Sequence, residues 1–292
     1  MRLAHRSYAI AVAIAIGVTS AGATTAASQQ PKRIVSTFLC TDEYVFRLVP
    51  RARIAALSYL AADTRPVVST IARQVRGIPG VRASAEQVLA FHPDLVVTYE
   101  STNVRQTQLL RAAGVKVMEV PWAQSLKDIR RITRALGAQL GASGRAEAMI
   151  RQMDSELDQA RSIAPRPAVR TLIYEPNGYA TGGGVTDEIL AAAGLQNAGT
   201  GVHVTRSGTL PVEEVLSLAP DLLIFNGEHE AQPARADLIL KHPALSALDG
   251  HSRMLRTSLV PLLCPGPWSA DVAIPLAQLA RGAQRTKTLH AQ

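Results

Sequence analysis

Three sets of side chains in this sequence have types and spacing suited to chemistry: two glutamates, two cysteines, and a small number of aromatic rings. Glu86 and Glu213 each lead a matching segment. The first is Glu-Gln-Val-Leu-Ala-Phe-His-Pro-Asp-Leu-Val-Val, from Glu86 to Val97; the second is Glu-Glu-Val-Leu-Ser-Leu-Ala-Pro-Asp-Leu-Leu-Ile, from Glu213 to Ile224. Val88, Leu89, Pro93, Asp94 and Leu95 recur as Val215, Leu216, Pro220, Asp221 and Leu222, at the same offset of 127 positions that separates the two glutamates. A carboxylate in the first turn of a helix is favoured by the dipole and offers an arginine a bidentate, charge-assisted partner. The alternative is that each glutamate only steadies a helix start, an effect of about 0.3–1 kcal/mol. Gln87 and Glu214 stand beside them at matching places, and Gln87 is neutral.

Cys40 and Cys264 are the only cysteines. In an exported protein such a pair suits a disulfide. Two free thiols, or contact with a ligand or metal, are the alternatives, because sequence does not give the Cα separation of about 4.4–6.8 Å that a bridge requires. Chemistry of other kinds is poorly supported. No Gly-x-Ser-x-Gly or His-Glu-x-x-His occurs, which argues against an enzyme, and no convergent His/Asp/Glu set suggests a bare metal ion. The loop Thr181-Gly182-Gly183-Gly184 lacks the Lys-Ser/Thr of a phosphate-binding loop and reads as a turn.

The elements that must position these groups follow from the repeat. Each copy reads as a short helix, a proline that stops it, and an apolar strand buried on both faces. Ahead of the first copy, Ile34–Leu39 and Arg53–Leu57 read as strands, Thr41–Leu48 as a helix, and Ser58–Arg82 as a long loop. After it come a helix at Val104–Ala113 and a strand at Val115–Val120. The second half repeats the scheme: a strand at Val169–Tyr174, a helix at Val185–Ala193, the second copy, a helix near Ala236–Leu248, a strand at Met254–Ser258 and a closing helix at Trp268–Arg281. The expected fold class is therefore α/β, with two similar parallel-sheet lobes, residues 31–124 and 166–292, joined by one long helix as a connector over 125–165, whose pattern is broken near Gly141 to Gly144, and enclosing a ligand cleft. A bridge between Cys40 and Cys264 would join the lobes across that cleft.

At 292 residues, with 47% hydrophobic and 18% charged content, the chain has ample material for a buried core. Arg2, His5 and Arg6 precede an apolar run at Tyr8–Val18 and then small residues, so residues 1–27 read as a cleaved secretory signal, with cleavage after Ala23 as the alternative. The run is well short of the roughly 20 residues that span a bilayer. No cysteine follows the small residues, which points away from lipid attachment. The net charge is +8, and the basic residues are scattered without interleaved aromatics, a poor match to nucleic acid.

The exported start, the helical connector and the paired Glu-x-Val-Leu-x-x-x-Pro-Asp-Leu segments resemble the helical-backbone periplasmic binding proteins of ABC importers, which take up cobalamin, iron-siderophore complexes and haem. The resemblance covers roughly Pro31 to Arg281. It implies a monomeric periplasmic receptor with no intrinsic cofactor and no catalytic role. Its partner would be an inner-membrane permease whose arginines meet Glu86 and Glu213. It also implies ligand contacts on the loops after the strands, which here hold Tyr59, Tyr99 and Trp122 in the first lobe and Tyr174, Tyr179 and Trp268 in the second. Tyr99 and Tyr179 align with aromatic contacts of cobalamin-binding relatives. Arg206 would meet a phosphate or carboxylate of the ligand; His203 either approaches a metal centre or, as is more usual for a lone loop histidine, stays solvated. A corrinoid is the expected ligand, with haem or a ferric siderophore as the alternative. The cysteine pair is not part of the resemblance.

Overall fold

The computed structural model describes residues 30–65, 68–82, 84–200, 208–226, 235–248 and 252–290. The expected signal segment, His203 and Arg206 lie outside the described residues. The first lobe is a parallel sheet of β1 (Ile34–Ser36), β2 (Ile54–Ser58), β3 (Gly80–Val81), β4 (Leu95–Tyr99) and β5 (Val117–Val120), in the order β3-β2-β1-β4-β5. Its helices are α1 (Leu39–Leu48), α2 (Ala85–Leu89) and α3 (Val104–Ala112). All five residues of β4 are buried, as its unbroken apolar run requires of a strand covered on both faces. The long loop after β2 is more ordered than expected. It contains a 3-10 turn at Tyr59–Ala62 and returns as β3 to pair with β2.

The connector is not one helix. It is a hairpin of α4 (Leu126–Gln139) and α5 (Ser143–Ile163), turning where Gly141 takes a positive φ of 66°. The two pack closely, since a Cβ at Gly137 would lie 2.5 Å from that of Ala146. Helix α5 buries Ala146, Ile150, Met153, Leu157 and Ala160, spaced alternately four and three apart, so one continuous stripe faces inward along most of its 21 residues.

The second lobe contains β6 (Val169–Tyr174), β7 (Tyr179–Thr181), β8 (Leu195–Asn197), β9 (Gly208–Thr209), β10 (Leu222–Asn226) and β11 (Arg253–Thr257). Its helices are α6 (Gly184–Ala192), α7 (Val212–Leu218), α8 (Val260–Leu263) and α9 (Ala273–His290). The strand order is β11-β10-β6-β7-β9, with β8 paired to the first half of β6 and β7 to its end. This sheet is mixed rather than purely parallel. A turn at Pro176–Gly178, with Asn177 at φ 61° and Gly178 at φ 78°, reverses the chain and lays β7 antiparallel on β6. The helix expected near Ala236–Leu248 is instead two 3-10 segments, Arg235–Lys241 and Pro243–Leu248, because a proline cannot continue the first.

The largest apolar cluster runs through both lobes. It joins Ile34, Tyr44 and Leu95 of the first to Met153 and Leu157 of α5 and to Ile173, Leu222 and Leu276 of the second. Smaller clusters lie on the other faces, around Val88 and Val96 in the first lobe and around Val215 and Leu223 in the second. The lobes thus share a core built around α5.

Candidate functional site

The repeated segment folds alike in both lobes. Glu86 and Glu213 are exposed and sit in the first turns of α2 and α7. Each helix is followed by a non-glycine residue in left-handed backbone, His92 at φ 47° and Ala219 at φ 40°, immediately before the proline. Proline disfavours the right-handed helical conformation in the residue before it, which accounts for the sharp stop. The aspartate that comes next does structural work in both copies. Asp94 Oδ2 and Oδ1 accept the backbone N–H groups of Lys32 and Arg33, at 2.6 and 3.0 Å. Asp221 Oδ2 accepts the N–H of Arg170 at 3.4 Å. His92 therefore has a structural place in the stop of α2.

The segments that follow the strands bring the lobes together. Cys40, in the first turn of α1, and Cys264, after α8, form a disulfide with a Cα separation of 4.9 Å. Both are buried. Nearby, Tyr44 of α1 meets Trp268 edge-on at 4.8 Å between ring centroids, and the Arg47 guanidinium lies 5.1 Å from the Trp268 ring. Glu188 of α6 reaches the start of α4, accepting the Leu126 N–H at 2.8 Å. Gly184, at φ 57°, lets the start of α6 lie against the Gln124 carbonyl, which a Cβ would meet at 3.1 Å.

The aromatic side chains named for the site divide into two groups. Trp122 is 44% exposed and Tyr179 40%, one after β5 and the other opening β7. Leu263, half exposed beside Cys264, joins them as an apolar surface residue that aromatic counting alone passed over. Tyr99 and Trp268 are each only 3% exposed, and Tyr174 is fully buried with its hydroxyl donating to the Leu210 carbonyl at 2.9 Å. These three are packing residues in this structure rather than surface contacts. Tyr99 sits between Phe38 and Trp122, with ring centroids 5.1 and 5.2 Å away, and so supports the exposed indole from below. Burial, with Tyr44 nearby, raises the Tyr99 phenol above its ordinary value. Tyr59 is exposed but faces a different space. Its ring lies under the Arg82 guanidinium at 4.4 Å, in an open pocket of about 430 Å³ shared with Val81, Gln87 and Phe91, all of the first lobe. Arg82 carried no sequence signal beyond its place before α2.

Beneath α1 the first lobe buries polar groups at the ends of β1, β2 and β4. Asp42 accepts hydrogen bonds from the Ser58 N–H and hydroxyl, and Thr37 donates to Thr98 at 3.0 Å. Burial pushes the Asp42 carboxyl up to about 7 against the opposing hydrogen bonds. Glu43 accepts from Arg47 and from the backbone and hydroxyl of Thr70, which holds the loop before β3 onto α1. Among the described residues, no group of three or more His, Cys, Asp or Glu side chains could hold a metal ion, and no helix is long and apolar enough to cross a membrane.

Two sheet-bearing lobes around a shared helix, with Trp122 exposed after β5 of the first and Tyr179 exposed at the start of β7 of the second, give the two-lobed architecture of a solute-binding protein. Comparison with known proteins agrees: residues 61–249 match the family model described as "Periplasmic binding protein", and the chain belongs to that family. It is 24% identical over 207 residues to the uncharacterized ABC transporter substrate-binding lipoprotein YvrC of Bacillus subtilis, a match spanning 67% of this chain and 64% of that relative's length. Among solved structures it is similar to the periplasmic haem-binding protein RhuT of Roseiflexus sp. RS-1, with a TM-score of 0.72 and 24% identity, covering 86% of this chain and 98% of the other. It is also similar to the vitamin B12-binding protein BtuF of Vibrio cholerae, with a TM-score of 0.64 and 16% identity, covering 87% and 98%. At these identities the structural likeness establishes the fold, while the ligand must be argued from this chain's own residues.

Proposed function

We propose that this protein is an extracytoplasmic receptor that binds a macrocyclic metal chelate, a corrinoid first, between its lobes and delivers it to an ABC importer. The observation that carries the reading is the pair of exposed rings, Trp122 and Tyr179, on opposite lobes, with Leu263 beside the disulfide that joins them. Flat rings bury large apolar area at small conformational cost and match the face of a macrocycle. Glu86 and Glu213 then act as one docking carboxylate per lobe for arginines of the permease, as bidentate charge-assisted pairs. A family of substrate-binding proteins and a relative named for ABC transport support this direction.

Haem is the second reading, favoured by the exposed phenol of Tyr179, which offers an axial oxygen to iron. It is also the ligand in the name of the Roseiflexus relative. Purification from the native host, followed by absorption spectra and mass spectrometry of what stays bound, separates the two. Corrinoid bands are expected; a Soret band would move the assignment to haem. An empty protein with no thermal shift on adding cyanocobalamin, haemin or a ferric siderophore would sink the metal-chelate reading.

A further inference from the structure

The aspartate of each repeat faces an arginine that was not part of the repeated segment. Arg33, just before β1, donates from Nη2 to the Phe91 carbonyl at 2.6 Å and from Nε to the Phe91 and His92 carbonyls at 3.2 Å. Its own backbone N–H is held by Asp94, and its carbonyl accepts the Asp94 N–H at 3.1 Å. Arg170, in β6, reproduces the arrangement: its Nη2 donates to the Leu218 carbonyl at 2.9 Å while its backbone N–H is held by Asp221. In each lobe, then, the carbonyl two residues before the proline, Leu218 at the end of α7 and Phe91 just past the end of α2, is bound by an arginine at the start of the first strand, and that arginine's backbone is bound by the aspartate following the same helix. Helix C-terminal carbonyls lack intrahelical partners and attract positive charge, so the contact satisfies both needs.

We infer that Arg33 and Arg170 are positioning residues for transporter docking, each fixing the helix that carries one of the two glutamates. The inference rests on the docking role of Glu86 and Glu213 given above. Both helices are short, five residues for α2 and seven for α7, so a restraint at the C-terminal end lies within two turns of the glutamate at the other. An isolated helix of this length is not stable by itself, which leaves its direction to the tertiary contacts that hold its ends. The first strand is the element to which each lobe's central sheet is paired, β1 with β4 and β6 with β10. The clamp thus refers each carboxylate to the rigid sheet of its lobe.

The test is lobe-specific. Fluorescently labelled full-length receptor is sedimented with inner-membrane vesicles of the native host, and the wild type is compared with Arg33→Ala, Arg170→Ala, Glu86→Ala, Glu213→Ala and the combinations. Each arginine variant is expected to weaken vesicle binding about tenfold, equivalent to about 1.4 kcal/mol. Arg33→Ala should add no further loss once Glu86 is alanine, yet should still weaken the Glu213→Ala protein; Arg170→Ala should show the converse pattern. General destabilisation would add equally in both backgrounds. If an alanine variant does not fold, Asp94→Asn or Asp221→Asn loosens the same clamp and is expected to give the same lobe-specific pattern. Unchanged binding by both glutamate variants would remove the docking reading and this inference with it. Glutamate variants that lose binding while the arginine variants keep it, or that lose it additively, would overturn the positioning role alone.

Discussion

The two copies of the repeated unit agree where they build the scaffold and differ at its edge. Strands β1, β4 and β5 of the first lobe correspond to β6, β10 and β11 of the second, with the same neighbours and parallel pairing. The helix, the left-handed stop, the proline and the aspartate clamp recur with them. Beyond this unit the lobes part. The first continues its parallel sheet through β2 and β3, whereas the second turns back on itself as β7 and β9. The first buries a carboxylate, Asp42, under α1; the second places Glu175 half-buried, accepting from Thr181 and Asn226. Exposed Tyr179 lies on the divergent β7, and exposed Trp122 just beyond the shared β5. The shared unit supplies the frame; under the proposed function it also carries the docking glutamates, and the exposed rings lie outside it.

The largest effect expected from disturbing this comparison comes from the disulfide that cross-links the halves. Replacing Cys40 and Cys264 together with serine should lower unfolding stability by about 2–4 kcal/mol, measured by denaturant titration under non-reducing conditions. A change near zero would mean that the shared core around α5 alone holds the lobes.

The buried carboxylate distinguishes the lobes by pH. Because the folded Asp42 carboxyl is raised from 3.8 to about 7, the folded protein keeps a proton that the unfolded chain has released between those values. Stability contributed by that proton is full below the lower value and declines as pH rises through the upper one. Thermal melts from pH 4 to 8 should show this decline in the wild type and a flatter profile in Asp42→Asn. Equal slopes would place the proton elsewhere.

A smaller difference sharpens the helix comparison. Ser84 caps α2 by accepting the Gln87 N–H at 3.3 Å, while α7 starts after Pro211 without a side-chain cap. Ser84→Ala should cost about 1 kcal/mol of stability. Pro211→Ala has no cap to remove, so a similar loss there would show that the two starts are equivalent after all.

Much of the frame was legible in the sequence because it depends on local rules. Apolar runs, a proline and an acidic first turn mark the repeated unit, and two copies place two lobes. The mixed second sheet was not legible, because it depends on a left-handed Asn177 whose effect on strand direction has no apolar pattern. The hairpin connector shows as a glycine break at Gly141 and Gly144, but pairing of α4 with α5 is a tertiary choice. The site divided for a similar reason. A tyrosine or tryptophan after a strand reads the same whether it faces solvent, like Trp122, or lies beneath a neighbour, like Tyr99. Arg33 and Arg170 escaped notice because their offset differs from that of the repeat, although each stands at the start of its lobe's first strand.

The central claim is that ligand meets the exposed rings Trp122 and Tyr179. The chain has two tryptophans, one exposed and one buried, which makes it directly measurable. Intrinsic fluorescence should be followed during titration with cyanocobalamin and, separately, haemin in Trp122→Phe and in Trp268→Phe. The account predicts saturable quenching in Trp268→Phe, where Trp122 remains, and weakened binding in Trp122→Phe. Wild-type affinity in Trp122→Phe, with full quenching from Trp268, would contradict it.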